Sequence, residues 1–114
     1  MIASLFLYEN GIDGTIPSQI GTLSNLSELD LSSNSISGTV PDSIGNLKLT
    51  RIGLRNTKLN GSIPTSLGTI STLTTILLDQ NNFSGPIPPG FGSLPSLGML
   101  SSTNVAHYNL NSVY

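Results

Sequence analysis

Residues 29–47 read LDLSSNSISGTVPDSIGNL, and residues 76–94 read ILLDQNNFSGPIPPGFGSL. Both stretches place apolar residues, an asparagine, a glycine and a proline at the same intervals. No single helix or strand explains that order, because neither the helical nor the strand period runs through it. Aligned on the asparagine, the pattern occurs four times, with copies beginning at Leu5, Leu29, Ile52 and Ile76. Steps are 24 residues, except that one residue is missing after Lys48, between the second and third copies. A fixed period of this length marks stacked repeats, each too small to bury its own apolar face.

Each column of the repeat has a physical role. The pairs Leu5/Leu7, Leu29/Leu31, Ile52/Leu54 and Ile76/Leu78 alternate as short strands with two side chains inward. Asn10, Asn34 and Asn81 follow, with amide donors and acceptors for backbone groups where the chain leaves the strand. The next apolar position is held by Ile12, Ile36, Leu59 and Phe83. Pro17, Pro41, Pro64 and Pro88 fix φ and end pairing, so that no second long strand is expected. Thr57 stands where the ladder expects asparagine, which predicts a local soft spot beside Asn34 and Asn81.

These columns resemble the leucine-rich repeat family, in particular its plant-type subclass, whose pattern is close to LxxLxxLxLxxNxLxGxIPxxLGxL. The resemblance covers residues 2 to about 97. It implies an α/β repeat solenoid: a right-handed coil with a parallel β-sheet on the concave face and short 3₁₀ or irregular turns on the convex face. Residues 1–114 are then one domain of four clear repeats, with 98–114 a degenerate fifth repeat or a C-terminal cap. The family's cysteine-bearing end caps are absent, since the chain has no cysteine. Such domains serve mainly as recognition surfaces, so the resemblance implies a non-catalytic module that binds a protein or peptide. An extracellular or cell-surface location is suggested by the resemblance alone. The opening MIASLFLYEN has no basic segment or small-residue cleavage site and reads as repeat rather than signal peptide.

Composition narrows the partners. Only 9% of residues are charged and the net charge is −2, which gives no electrostatic footprint for nucleic acid. No apolar run approaches the roughly 20 residues of a membrane span. No cofactor or metal is expected, because no ligand spacing appears. Nor does a catalytic constellation: His107 is the lone histidine, and Glu9, Asp13, Glu28, Asp30, Asp42 and Asp79 fall at different repeat positions. Three N-x-S sequons occur, at Asn25, Asn60 and Asn82, as many as the asparagine and hydroxyl content would place by chance.

Strand stacking sorts outward residues into columns about 4.8 Å apart per repeat. One runs Phe6, Asp30, Gly53, Leu77, and the next Tyr8, Ser32, Arg55, Asp79. The partner-binding candidates are Phe6, Tyr8, Asp30, Arg55, Leu77 and Asp79, with Phe6 and Leu77 expected to expose apolar area that a ligand would cover. Glu28 beside Arg51 and Arg55 beside Asp79 are neighbours of opposite sign. They read either as charge pairs within the sheet or as a polar rim for a partner. An alternative reading is an ice- or surface-binding solenoid, with Thr15, Thr39 and Ser62 forming a hydroxyl column that Pro86 interrupts. The first repeat offers no polar cap, which predicts self-association, a covering partner or a longer parent chain through Ile2, Leu5 and Leu7.

Overall fold

The computed structural model describes residues 3–101. Strands β1 (Ser4–Phe6), β3 (Glu28–Asp30), β5 (Arg51–Gly53), β7 (Thr75–Leu77) and β9 (Met99–Ser101) form one parallel sheet in that order. Its register follows the repeat: Leu5 pairs with Leu29, Leu29 with Ile52, Ile52 with Ile76 and Ile76 with Leu100. The expected tail or cap beyond residue 101, His107 and Ile2 lie outside the described residues.

A second parallel sheet joins β2 (Asp13–Thr15), β4 (Ser35–Gly38), β6 (Lys58–Ser62) and β8 (Asn82–Ser84). The expectation that no second long strand forms holds, but it leaves out these short strands. Proline does end each of these strands within a few residues, but three to five residues suffice to pair. Register in this sheet is displaced by two residues per repeat, with Gly14 opposite Ile36 and Asn60 opposite Asn82.

After each proline comes a 3₁₀ turn, at Ser18–Thr22, Asp42–Asn46, Thr65–Thr69 and Pro89–Ser93. The Pro17, Pro41, Pro64 and Pro88 carbonyls accept the amides of Ile20, Ile44, Leu67 and Phe91, the side chains each turn buries. The turns stack closely. A Cβ on Gly45 would stand 2.6 Å from Ser66 Cβ, and one on Gly21 would stand 2.6 Å from the Ser43 carbonyl oxygen. The hydroxyls of Ser43 and Ser66 then reach back to the carbonyls of Ser18 and Asp42, at 2.7 and 2.9 Å.

The core runs along the coil axis and consists of inward columns, among them Leu29, Ile52 and Ile76 from the first sheet and Ile36, Leu59 and Phe83 from the second. Leu5, Leu7 and Ile12 of the first repeat are only partly buried and border a hollow of about 180 Å³.

Two hydrogen-bond ladders tie the repeats. Asn34 Nδ2 donates to the Leu7 and Leu31 carbonyls, while Oδ1 accepts the amides of Asn10 and Ile12. Asn81 repeats the arrangement toward Leu54 and Leu59. Thr57 is buried, and its hydroxyl lies against the Leu54 carbonyl and Asn81 Oδ1. Among the hydrogen bonds of the described residues, none from the Thr57 side chain reaches back to the second repeat. The second ladder precedes the first sheet. The Ala3 carbonyl accepts the amides of Ser27 and Glu28 and the Ser27 hydroxyl. Ser27 serves Thr50 and Arg51 likewise, and Thr50 serves Thr74 and Thr75. The Thr74 carbonyl receives only the amides of Gly98 and Met99, because Gly98 has no hydroxyl.

Candidate functional site

Alternation along the first sheet buries Leu29, Ile52 and Ile76 and turns their neighbours to the other face. On that face Phe6 and Tyr8 are 48% and 55% exposed, the largest apolar projections of the first repeat. Arg55 is half-exposed and donates from Nε to Asp79 Oδ1 at 2.9 Å, as its position in the column predicts. The Ser101 hydroxyl donates to the same oxygen at 2.7 Å, and the Arg55 amide donates to Ser32 Oγ at 3.2 Å. A polar line therefore crosses four repeats beside the aromatic pair.

Three expectations are corrected. Leu77 is only 4% exposed, so it offers no free apolar area; it lies between Gly53 and Ser101 in register. Asp30 is buried too. Arg51 pairs not with its register neighbour Glu28 but with Asp30, Nη2 to Oδ2 at 3.3 Å. The diagonal contact is open because Gly53 has no side chain where the Asp30 carboxylate lies. Glu28 instead accepts the Ser4 hydroxyl at 3.0 Å.

Burial pushes both aspartates toward higher pKa, but donors outweigh it. For Asp30 these are the Ser32 hydroxyl and amide, then the Arg51 guanidinium, and its pKa falls below the ordinary 3.8. Asp79 is likewise held below 3.8 by the Ser101 hydroxyl, the Arg55 guanidinium and its own amide.

The other surfaces offer less. A shallow groove of about 410 Å³ runs past Ser33, Asn34, Asn56 and Thr57, at the break in the asparagine ladder. Thr15 and Thr39 are exposed, but their methyl groups lie where a Cβ of Gly38 or Gly61 would sit, at 3.1 and 2.9 Å, so the hydroxyl column is partly a packing device. Among the described residues no three His, Cys, Asp or Glu side chains converge as metal ligands. No helix among them is long and apolar enough to cross a membrane.

Parallel strands in two sheets, linked by 3₁₀ turns and an inward asparagine ladder, define a repeat solenoid. The leucine rich repeat profile matches residues 2–59, and a second leucine rich repeat profile matches 72–94. The chain belongs to the leucine-rich repeat family.

No curated protein sequence matches it. Among solved structures it is similar to the BIR2 ectodomain of Arabidopsis thaliana, at 38% identity and a TM-score of 0.84, over 89% of this chain and 54% of that one. It is similar to the Arabidopsis receptor kinase HAESA, solved with the peptide hormone IDA and the co-receptor SERK1, at 38% identity and a TM-score of 0.85, over 90% of this chain and 18% of that one. It is also similar to the ectodomain of the Arabidopsis membrane receptor kinase GASSHO1/SCHENGEN3, solved with CASPARIAN STRIP INTEGRITY FACTOR 2. There identity is 34% and the TM-score 0.86, over 90% of this chain and 12% of that one. The chain spans about half of the BIR2 ectodomain and less than a fifth of the two receptor kinases.

Proposed function

We propose that the chain is a non-catalytic recognition module, outside the cell or at its surface, that binds a peptide or protein across the first sheet, read as the concave face. The observation that carries this is the exposed pair Phe6 and Tyr8, on the same face as half-exposed Arg55 two strands away. Covering the exposed half of each aromatic side chain is worth about 1 kcal/mol, and Tyr and Arg are favoured at binding hot spots. The similar ectodomains that were solved with a peptide hormone or a partner protein support the same reading.

The test uses partners captured from the source tissue and isolated as defined species. Tyr8→Ala and Arg55→Ala should each weaken binding by more than fivefold, while Ser18→Ala and Thr65→Ala on the 3₁₀ turns should leave it unchanged. The reverse pattern rules out the first sheet as the binding face. No observation favours the ice-binding alternative, and a lack of thermal hysteresis at millimolar protein removes it.

A further inference from the structure

The asparagine ladder leaves one main-chain donor unserved. Glu9 and Ser33 take the same left-handed backbone turn, both at φ 57°, so the amide that follows each is aimed at the next repeat. That of Asn10 donates to Asn34 Oδ1 at 3.0 Å. That of Asn34 is aimed in the same way at Thr57, whose hydroxyl is turned to the Leu54 carbonyl and Asn81 Oδ1. Among the hydrogen bonds of the described residues, the Asn34 amide has no acceptor. Asn34 is buried, and a buried donor is costly until an oxygen reaches it.

The groove of about 410 Å³ at the ladder break gives an oxygen that route, since Asn34 and Thr57 line it with Ser33, Ser35, Asn56 and Lys58. Its lining is rich in donors. Lys58 is exposed and forms no ion pair among the described residues, whereas Arg51 and Arg55 are held by Asp30 and Asp79. Asn56 Nδ2 donates to Ser33 Oγ at 3.4 Å, which leaves the Ser33 hydroxyl hydrogen for another acceptor. None of the chain's carboxylates lines the groove. Charge is also sorted along the coil. The cations Lys48, Arg51, Arg55 and Lys58 all fall within residues 48–58, while Glu9, Asp13, Glu28, Asp30 and Asp42 precede them.

We propose that this groove is a subsite for a carboxylate. One carboxylate oxygen takes the Asn34 amide and the other the Lys58 ammonium, with the Ser33 hydroxyl beside them. The carboxylate belongs to an aspartate or glutamate side chain of the peptide or protein partner, so the subsite rests on the recognition reading above and adds a chemistry to it. Ser33 and Asn56 directly follow Ser32 and Arg55 of the outward column, so a partner lying across the first sheet passes the groove. Its negative side chain also meets the repeat that holds the cations. Threonine at position 57 is what makes the subsite, because an asparagine there would bring its own Oδ1 to the amide.

The probes are acetyl-glutamate methylamide, its glutamine analogue, and acetyl-alanine with a free terminal carboxylate. Each is titrated at neutral pH and constant ionic strength into the isotope-labelled chain, read by two-dimensional amide spectra. The glutamate probe should shift the Asn34 amide saturably, and the glutamine analogue should not. Lys58→Gln should weaken that binding by about fivefold or more, and Thr57→Asn should abolish it, with spectral dispersion reporting that both variants stay folded. No saturable shift at Asn34, or one undiminished in Thr57→Asn, overturns the subsite. Tighter binding of acetyl-alanine overturns the side-chain source. A saturable shift together with partner binding insensitive to Tyr8→Ala and Arg55→Ala removes the first-sheet reading and keeps the subsite. Sensitive partner binding without any shift at Asn34 does the opposite.

Discussion

Gly53 faces Asp30 so closely that a Cβ there would stand 2.7 Å from the carboxyl carbon. The two residues are register partners on β3 and β5, and the missing side chain of one is the space the other's carboxylate occupies. The Arg51–Asp30 ion pair depends on this vacancy. Gly53→Ala should displace the carboxylate, break the pair and destabilise the fold by about 1–3 kcal/mol. The effect should shrink in an Asp30→Ala background, because the obstacle is then gone. Urea unfolding of the parent, both single variants and the double checks this, and additive losses would show that the contact is unimportant.

Between the 3₁₀ turns the same logic applies in a different place. Gly45→Ala puts a methyl group 2.6 Å from Ser66 Cβ and should cost about 1–3 kcal/mol. Adding Ser66→Gly should recover only part of the loss, since at the equivalent junction a Cβ on Gly68 would still stand 3.0 Å from the Gly90 Cα. A double variant no more stable than Gly45→Ala alone would contradict it.

Thr57 interrupts the asparagine ladder, and its side chain bonds within its own repeat and toward Asn81. Thr57→Asn should restore contacts to the second repeat and stabilise by about 0.5–1.5 kcal/mol. Asn34→Ala should lose about 1–3 kcal/mol, because it leaves the Asn10 and Ile12 amides without their acceptor. Thermal melting of both variants checks the signs. A lower-melting Thr57→Asn would show that threonine suits the shortened loop after Lys48.

Asp30 and Asp79 have folded pKa values below the ordinary 3.8. Their contribution is therefore fully present above that value and is lost as pH falls through the folded pKa of each. Stability should be level near neutrality and should drop below about pH 4. The drop should be smaller in Asp30→Asn and Asp79→Asn variants, measured by urea midpoint against pH.

The coil and the first sheet were legible because inward columns such as Leu29, Ile52 and Ile76 recur without exception, and stacking is the one way to bury them. The second sheet was not, because β4, β6 and β8 carry a single inward residue each, at Ile36, Leu59 and Phe83, and β2 carries none, too few for alternation to register as a strand. A two-residue register displacement also hides which residues pair. On the candidate face, the column reading placed Phe6, Tyr8, Arg55 and Asp79 together. It missed that Leu77 and Asp30 are covered, because burial on an outward face depends on how neighbouring side chains lean. Arg51 choosing Asp30 over Glu28 is the same effect, set by an empty position at Gly53 that periodicity does not weigh.

The carbonyls of Ala3, Ser27 and Thr50 each hold three donors of the following repeat, and that of Thr74 holds two. The repeats are thus clasped one to the next through single atoms, with an uneven clasp at β9, the last of the described strands. Opening of such a stack runs like a zipper, and it starts where a clasp is missing a tooth. Amides of β9 should therefore exchange with solvent faster than those of β3 and β5, and Gly98→Ser should slow them by supplying the absent hydroxyl.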